Sequence, residues 1–239
     1  GEQVINERLS QIRELAMDFA NVDMAKEPVP VQPGMHYQMG GVKADVDGLT
    51  NLPGLYAAGE VACVSVHGGN RLGANSLLDT LVFGRRSGLH AAESVRSIKH
   101  VNVNDSASDS DRKIIQDLLE NTPGESFGQL RSDLGSSMNQ HLAVYRNEEG
   151  MQQALKNIAD VKERFNDVYV ADKTKTFNTN LMFTLEMGFM IECAESIALS
   201  AIERTESRGA HTREDMPERD DENWLKHILV TKKDEGHEI

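Results

Sequence analysis

Leu55 to Asp79 reads Leu-Tyr-Ala-Ala-Gly-Glu-Val-Ala-Cys-Val-Ser-Val-His-Gly-Gly-Asn-Arg-Leu-Gly-Ala-Asn-Ser-Leu-Leu-Asp, and the rest of the chain is organised around this stretch. Apolar residues lead into Gly59, and three further glycines surround Arg71. The last four residues, Ser76-Leu77-Leu78-Asp79, have the S-x-x-D form of a capping box, which marks a helix start. This order predicts a short buried strand over residues 55–58, a glycine-rich turn, and a helix running to about Ile98.

Arg71 is the residue of this stretch that is best suited to bind a ligand. Its glycine neighbours allow unusual backbone angles and leave the guanidinium little to pack against. A guanidinium is a planar fork that pairs two-pronged with a carboxylate. That carboxylate could belong to a ligand or, as is commoner for a single arginine, to an Asp or Glu of the same chain. His36, just before a predicted strand, is by itself more typical of a hydrogen-bonded core residue than of a ligand group.

Other groups near Arg71 have two readings each. Glu60 could accept hydrogen bonds from ribose hydroxyls, as acids do in dinucleotide folds, or it could cap a turn. The backbone N–H groups of Ser76 and Leu77 favour an anion or a reduced, negatively charged ring, with simple helix capping as the competitor. Neither G-x-G-x-x-G nor G-x-x-x-x-G-K-[ST] occurs, so a complete nucleotide-binding unit is absent from the sequence. The residues alone predict an anion or cofactor site near Arg71.

Composition narrows the class of protein. The 239 residues are 39% hydrophobic, which suffices for a real core, and 38 acidic against 25 basic residues give a net charge of −13. Without a basic patch, nucleic acid is not expected as a partner. Cys63 and Cys193 form no metal motif or disulfide framework and indicate a reducing compartment. The eight histidines show no metal-ligand spacing, so no metal site is predicted.

The longest apolar run, residues 181–202, contains Glu186, Glu192 and Glu195, which are costly inside a bilayer, so we expect a core helix and no membrane span. The chain starts Gly-Glu-Gln, without an initiator Met or a targeting segment. We therefore expect a piece of a longer protein.

The remaining periodicity predicts a mixed α/β chain that is mostly helical. An amphipathic helix is expected over Val4–Ala20, a proline-rich connector over 26–34, and a strand interrupted by two glycines over 36–44. After an exposed linker over 100–111, apolar residues at helical spacing predict a bundle of three to four helices, and a polar tail that wraps over other parts follows. The four helical stretches are 114–119, 127–142, 151–165 and 177–202.

Three groups of motifs resemble the flavoprotein subunit of succinate dehydrogenase and fumarate reductase. The first two groups are His36-Tyr37-x-Met39-Gly40-Gly41 and Pro53-Gly54-Leu55-Tyr56-Ala57-Ala58-Gly59-Glu60, continuing into His67-Gly68-Gly69-Asn70-Arg71-Leu72-Gly73-x-Asn75-Ser76-Leu77-Leu78-Asp79. The third lies in the tail, as Arg204-Thr205-Glu206-Ser207-Arg208-Gly209-Ala210-His211 and Arg219-Asp220-Asp221-Glu222-Asn223-Trp224. Together they cover nearly the whole chain in the family's order.

The resemblance implies an FAD enzyme that interconverts succinate and fumarate and passes electrons to an iron–sulfur subunit. In the family's pattern, His36 and Arg71 match residues that bind a substrate carboxylate. Glu60 matches the FAD ribose contact, and Asn75, Ser76 and Leu77 match contacts to the flavin. The implied location is the cytoplasm, or the cytoplasmic or matrix face of a membrane complex, with the membrane reached only through other subunits.

The family's dinucleotide fingerprint, flavin-linking His, second substrate His and proton-transferring Arg all lie upstream of this chain. The resemblance therefore implies a C-terminal portion that does not turn over or retain FAD by itself, and it assigns no proton-transfer residue here. In family terms, residues 1–32 would end the capping domain, 33–103 would return to the FAD domain, and 104–239 would form the helical domain. Gly69 stands where the family usually has Ala.

Two alternatives remain open. L-aspartate oxidase shares the His-Tyr and Ser-Arg-Gly-x-His elements, but its Asn-Arg-Met-Ala-Ser-Asn-Ser-Leu-Leu-Glu fits Leu72-Gly73 and Asp79-Thr80 less well. The chain could instead be a helical interaction module in which the glycine stretch is structural. Such a module has no need to gather His36, Glu60 and Arg71 around one cleft.

Overall fold

The computed structural model describes residues 1–31, 34–99, 102–121, 124–234 and 236–239. The chain divides into two compact units, Gly1–Tyr37 and Gln38–Ile239. Parts of the predicted connector, linker and first interhelical break lie outside the described residues. The domain boundaries predicted at residues 32/33 and 103/104 stay predictions.

The first unit contains helices α1 (Glu2–Arg8) and α2 (Ser10–Ala20), where one continuous helix was expected. The helix is interrupted at Leu9, whose backbone leaves the helical region at φ −130° and ψ 25°. The guanidinium of Arg13, on α2, donates two hydrogen bonds of 2.8 and 2.7 Å to the carboxylate of Asp23, which follows the helix. This pair fastens the chain after α2 back onto that helix.

The second unit begins with two very short parallel strands, β1 (Val42–Lys43) and β2 (Ala62–Cys63), and a 3-10 turn at Gly59–Val61 leads directly into β2. The predicted strand over 36–44 is therefore wrong outside these two residues. The reason is the positive φ of its glycines, which is 119° at Gly41. A Cβ at Gly41 would overlap the carbonyl of Val61, so the close approach expected at this glycine is made by backbone.

The predicted strand over residues 55–58 is also wrong, since the structure has only an isolated bridge between Leu49 and Tyr56 there. Helix α3 (Asn75–Ser94) follows the glycine-rich turn and continues into a 3-10 turn that ends at Ser97, close to the predicted end. It has no side-chain cap, and the residue before it, Ala74, has a φ of 66°. The capping-box interpretation of Ser76 is wrong, because Ser76 lies inside the first helical turn.

The helical bundle of the second unit confirms the fold class expected from the sequence. Its helices are α4 (Asp109–Glu120), α5 (Phe127–His141), α6 (Glu148–Arg164) and α7 (Thr179–Glu203). Side chains before three of them accept a hydrogen bond from a backbone N–H of the first turn, which fixes where each helix starts. These caps are Ser126, Asn147 and Asn178.

Helix α7 is central, as its apolar circumference predicted, and it packs mainly on α6 and α5. Two parallel strand pairs tie loops to the bundle. In one, β3 (Glu125–Ser126) pairs with β5 (Val168–Tyr169). In the other, β4 (Tyr145–Arg146) pairs with β6 (Thr212–Arg213) of the tail.

The tail continues through a one-turn helix, α8 (Asp221–Trp224), to an antiparallel hairpin of β7 (Thr231–Lys233) and β8 (Gly236–Glu238). Arg213 is fully buried and bonds Asp215 and Glu148, which joins the tail to α6. Among the described residues, no helix has the length and apolar character to cross a bilayer.

Candidate functional site

The turn that carries Arg71 is held at both ends. At one end, His67 Nε2 lies 3.0 Å from Asp79 Oδ2, across the loop that joins the turn to helix α3. The side chains are 9% and 3% exposed, respectively. Asp79 was predicted to cap the helix, and the structure instead directs its carboxylate to His67. This contact closes the loop that contains Arg71.

The segment from Arg208 to Ala210 holds the other side of the turn. The N–H of Ala210 donates a hydrogen bond of 2.9 Å to the carbonyl of Gly69. Gly209 has a φ of 59°, and a Cβ there would overlap the carbonyl carbon and oxygen of Gly69. A Cβ at Gly69 would in turn come within 3.0 Å of the Arg208 carbonyl oxygen. The two motif regions seen in the sequence therefore meet backbone to backbone.

Substituting alanine for Gly209 should destabilise this contact strongly. The new methyl group would overlap Gly69 and the backbone would stay in a left-handed conformation, so we expect a loss of about 2 kcal/mol in the free energy of unfolding. Urea denaturation measures this loss. Gly128→Ala is the matched control, because a Cβ at Gly128 in α5 has no atom within 4 Å and should be neutral or slightly stabilising. Equal effects of the two substitutions would contradict the contact.

The start of α3 offers donors next to the turn. The N–H groups of its first residues have no intrahelical acceptor, and they carry the positive end of the helix dipole. Among the residues that the structure describes, none hydrogen-bonds the buried Ser76 Oγ. Leu77 is 73% exposed, so its apolar side chain is accessible beside these donors. This helix end is suited to an anion or to the polar edge of a ring with an apolar face.

The remaining predicted residues lie as follows. Glu60 is exposed in the 3-10 turn after residue 58, and its Oε1 accepts a hydrogen bond of 2.9 Å from the N–H of Gln38. Asn75 is half-buried at the first position of α3. His36 is exposed and belongs to the first unit, whereas Arg71 is half-buried in the second. A joint role of His36 and Arg71 stays a prediction.

A small apolar cavity of about 170 Å³ adjoins the start of α3. Its walls include the two side chains that close the Arg71 loop, so this pair lies between the turn and an apolar space. The lining residues are Val66, His67, Asn75, Leu78, Asp79, Val82 and Phe83.

Comparison with known proteins matches both ends of the chain. A profile described as an FAD binding domain matches residues 1–77, and one described as fumarate reductase flavoprotein C-term matches residues 131–239. The fumarate reductase flavoprotein subunit of Haemophilus influenzae is 42% identical over 240 residues, which are 99% of this chain and 40% of that protein. A solved structure of E. coli quinol fumarate reductase has a TM-score of 0.91 at 40% identity, over 99% of this chain and 41% of its own. The chain belongs to the fumarate reductase and succinate dehydrogenase flavoprotein family.

Within this family the chain matches succinate dehydrogenases as well as fumarate reductases. The succinate dehydrogenase flavoprotein subunit of Coxiella burnetii is 42% identical over 248 residues, or 99% of this chain and 42% of that protein. The chain thus spans about 40% of the length of the curated relatives that it matches. Membership confirms the resemblance that the motifs indicated.

The helical part of this family member contains a half-buried histidine, His211, to which the sequence analysis gave no role. His211 Nδ1 lies 2.9 Å from Arg146 Nη1, and its Nε2 lies 3.3 Å from the carbonyl oxygen of Arg204. Burial, followed by the charge of Arg146, lowers the pKa of His211 to about 4. The ring is therefore neutral at pH 7, with Nδ1 accepting from Arg146 and Nε2 donating to the carbonyl.

Because of His211, the free energy of unfolding should fall as the solution is acidified from about pH 6.5 to about pH 4. The folded-state pKa lies below the ordinary value near 6.5, so the unfolded chain binds the extra proton first. Because the ring is partly exposed, we expect a discounted loss of about 1 kcal/mol, or roughly 3 °C in Tm. Calorimetry at pH 4.5 and 7 on the wild type and His211→Asn measures it. The variant should lose this part of the pH dependence, and identical pH profiles would contradict the assignment.

Glu192 and Glu195 on α7 and His237 on β8 form a second cluster, with one ligand atom from each within 4.8 Å of the others. Lys162 Nζ lies 2.7 Å from Glu195 Oε2, and Lys232 Nζ lies 3.1 Å from Glu192 Oε2. Since ammonium groups already neutralise both carboxylates, the cluster is an ion-pair network that fastens the C-terminal hairpin to α7. The sequence could not reveal it, because the histidine is far from the glutamates along the chain.

Proposed function

We propose that this chain supplies part of the FAD and dicarboxylate site of a flavoprotein that interconverts succinate and fumarate. The observation that carries the proposal is the Arg71 turn, which lies between the start of α3 and the Arg208–Ala210 segment. An arginine in a glycine-rich turn beside a helix start is suited to a carboxylate. The relatives named fumarate reductase and succinate dehydrogenase act on dicarboxylates by their names, which supports the same chemistry here.

The residues at the start of α3 fit one edge of a flavin. Ser76 Oγ is buried without a hydrogen bond from the described residues, and Leu77 offers an exposed apolar surface. The N–H groups of Ser76 and Leu77 lie in the first turn, where they have no intrahelical acceptor. We assign Asn75, Ser76 and Leu77 to the flavin ring and Glu60 to the ribose. When bound, FAD supplies the acceptor and donor of the hydride. The dipole of α3 favours the negative charge of a reduced ring.

Arg71 would hold a substrate carboxylate through both prongs of its guanidinium, and His36 would contact the same substrate. A two-pronged contact fixes the direction of the carboxylate as well as its position, which orients the carbon skeleton toward the flavin. The residue that transfers the proton would come from elsewhere in the full-length protein. The chain alone is then expected neither to retain FAD nor to turn over.

The proposal includes partners and location. Electrons would pass to an iron–sulfur subunit, and a membrane would be reached only through other subunits, at its cytoplasmic or matrix face. Support comes from the similar E. coli protein, a quinol fumarate reductase. Residues 1–32, 33–103 and 104–239 would correspond to the capping domain's end, the returning FAD domain and the helical domain.

Neither alternative gains support. The curated relatives quoted above are named fumarate reductase and succinate dehydrogenase, whereas L-aspartate oxidase would need an amino-acid substrate. A helical interaction module would leave unexplained the buried Ser76 hydroxyl and the Arg71 turn held on both sides.

The decisive experiment assays the full-length protein that contains this chain. Reduction of a dye with succinate, oxidation of a reduced dye with fumarate, and the same assays with L-aspartate separate the two enzyme classes. We expect turnover with succinate and fumarate only. Turnover with L-aspartate alone would replace the proposal, and no FAD in the purified full-length protein would refute it. The 239-residue chain, assayed in parallel, should show neither FAD absorbance nor dye reduction.

A further inference from the structure

The Arg71 turn contains little that could fix its own shape. Gly68 has a φ of 58°, and Gly69 follows it without a side chain, so the backbone between His67 and Arg71 has wide conformational freedom. Substrate orientation requires a guanidinium placed to within about 0.5 Å. Contacts from outside the turn must therefore set its conformation.

We propose that His67 and Asp79 are a positioning pair that sets the conformation of the Arg71 turn, an inference that rests on the proposed function of Arg71. Asp79 lies in the second turn of α3, so its carboxylate is attached to a rigid element. The 3.0 Å contact with His67 Nε2 fixes the imidazole, and with it the residue that starts the turn. Only three residues, Gly68, Gly69 and Asn70, then separate this fixed point from Arg71.

The burial of His67 and Asp79 favours a positioning role for the pair over a purely stabilising one. The two side chains are at most 9% exposed, and one wall of the pair is the apolar cavity beside α3. Burying a polar pair costs desolvation that apolar residues of similar size would avoid, so such a pair adds little stability but specifies one arrangement. Here the specified arrangement is that of the loop between His67 and Asp79.

The test is a double-mutant cycle in the full-length holoenzyme, with Asp79→Asn and Arg71→Lys made singly and together. Alone, Asp79→Asn should raise KM for succinate about tenfold, with a much smaller change in kcat and with FAD content retained. In the Arg71→Lys background it should change KM by less than about twofold, because the contact that it positions is already lost. Additive effects in the two backgrounds would overturn the proposal.

A second measurement does not depend on activity. Hydrogen exchange of the amides at residues 68–71 should become at least about tenfold faster in Asp79→Asn, while exchange in the bundle helices stays unchanged. Asp47→Asn is the matched control, because Asp47 pairs with Arg86 of the same helix but is exposed, and it should alter neither KM nor exchange at the turn. Unchanged exchange at residues 68–71 in Asp79→Asn would overturn the positioning role. If the wild type is inactive on succinate while Asp79→Asn still shows the faster exchange, the proposed function alone is refuted.

Discussion

Arg71→Lys in the full-length protein should lower kcat/KM for succinate by roughly 30- to 150-fold while leaving FAD content and Tm unchanged. Lysine keeps the positive charge but offers a single ammonium in place of a planar fork, so one of the two hydrogen bonds to the carboxylate is lost. A hydrogen bond to a charged group contributes about 2–3 kcal/mol, which corresponds to this factor. The turn itself should not change, because the contacts of Gly69 and His67 hold it.

Steady-state kinetics with succinate and with fumarate test this prediction, and the FAD-to-protein absorbance ratio shows whether the variant is intact. Arg131→Lys is the control, because Arg131 is exposed on α5 of the helical bundle, and it should behave as the wild type. Unchanged kinetics in Arg71→Lys would remove Arg71 from substrate binding. Loss of FAD together with activity would show that the residue holds the structure instead.

The helices could be predicted because their causes are local. Apolar residues three and four positions apart define the faces of α5, α6 and α7. At the start of each helix, a capping side chain accepts a hydrogen bond from the backbone N–H three residues further on. The same periodicity predicts α2, but it does not predict the interruption at Leu9 that separates α1 from α2. The residues on either side of Leu9 continue the apolar periodicity, so the pattern by itself gives no reason for a break.

The strands could not be predicted, since they are only two residues long and exist through distant pairing. Val42 is held by Ala62, and Tyr145 by Thr212 of the tail. Periodicity has no meaning over two residues, so apolar runs such as 55–58 were mistaken for strands. The capping box failed for a related reason: Asp79 has the right spacing from Ser76, but His67 is a competing partner from outside the helix.

For the candidate site, the glycine pattern predicted its location near Arg71, and the family resemblance implied what each residue would bind. Three glycines around an arginine predicted an unusual turn before a helix, and the structure has that turn. The groups that hold it could not be found this way, because Arg208 to Ala210 approach Gly69 from the other end of the chain. The same holds for His211, whose low pKa depends on burial and on Arg146 of a distant strand.

Glu206→Ala should strongly destabilise the tail, because Glu206 is a buried carboxylate that pairs with Arg208 of the segment supporting the Arg71 turn. Its Oε1 accepts hydrogen bonds from Arg204 and Arg208, at 2.7 and 2.5 Å. Its Oε2 accepts from Arg208 and from the N–H of Asp220, at 2.9 and 2.8 Å. Removing one member of a buried pair leaves its partners uncompensated, so we expect a loss of about 3–4 kcal/mol in the free energy of unfolding.

Urea denaturation of the 239-residue chain measures this loss, with Trp224, its single tryptophan, as the fluorescent reporter. The reporter is well placed, because the guanidinium carbon of Arg204 lies 5.0 Å from the centre of the Trp224 ring. Glu206→Gln is the matched variant, since it keeps the shape and some hydrogen bonds but not the charge, and it should lose about half as much. Asp47→Asn breaks an exposed pair and should leave the midpoint within error.

The pH dependence of the unfolding free energy distinguishes the contribution of the Glu206 charge from that of its packing. Burial raises the pKa of this carboxyl, but hydrogen bonds from Arg208, the N–H of Asp220 and Arg204 outweigh it and lower the pKa to about 2. The unfolded value is near 4.3, so the charge contributes its full stability above about pH 5 and loses it as the pH falls toward 2. The difference in unfolding free energy between wild type and Glu206→Gln should therefore shrink steadily below pH 5. A difference that stays constant from pH 6 to pH 3 would mean that Glu206 supports the Gly69 turn through shape alone, and that its ion pairs with Arg204 and Arg208 contribute no net stability.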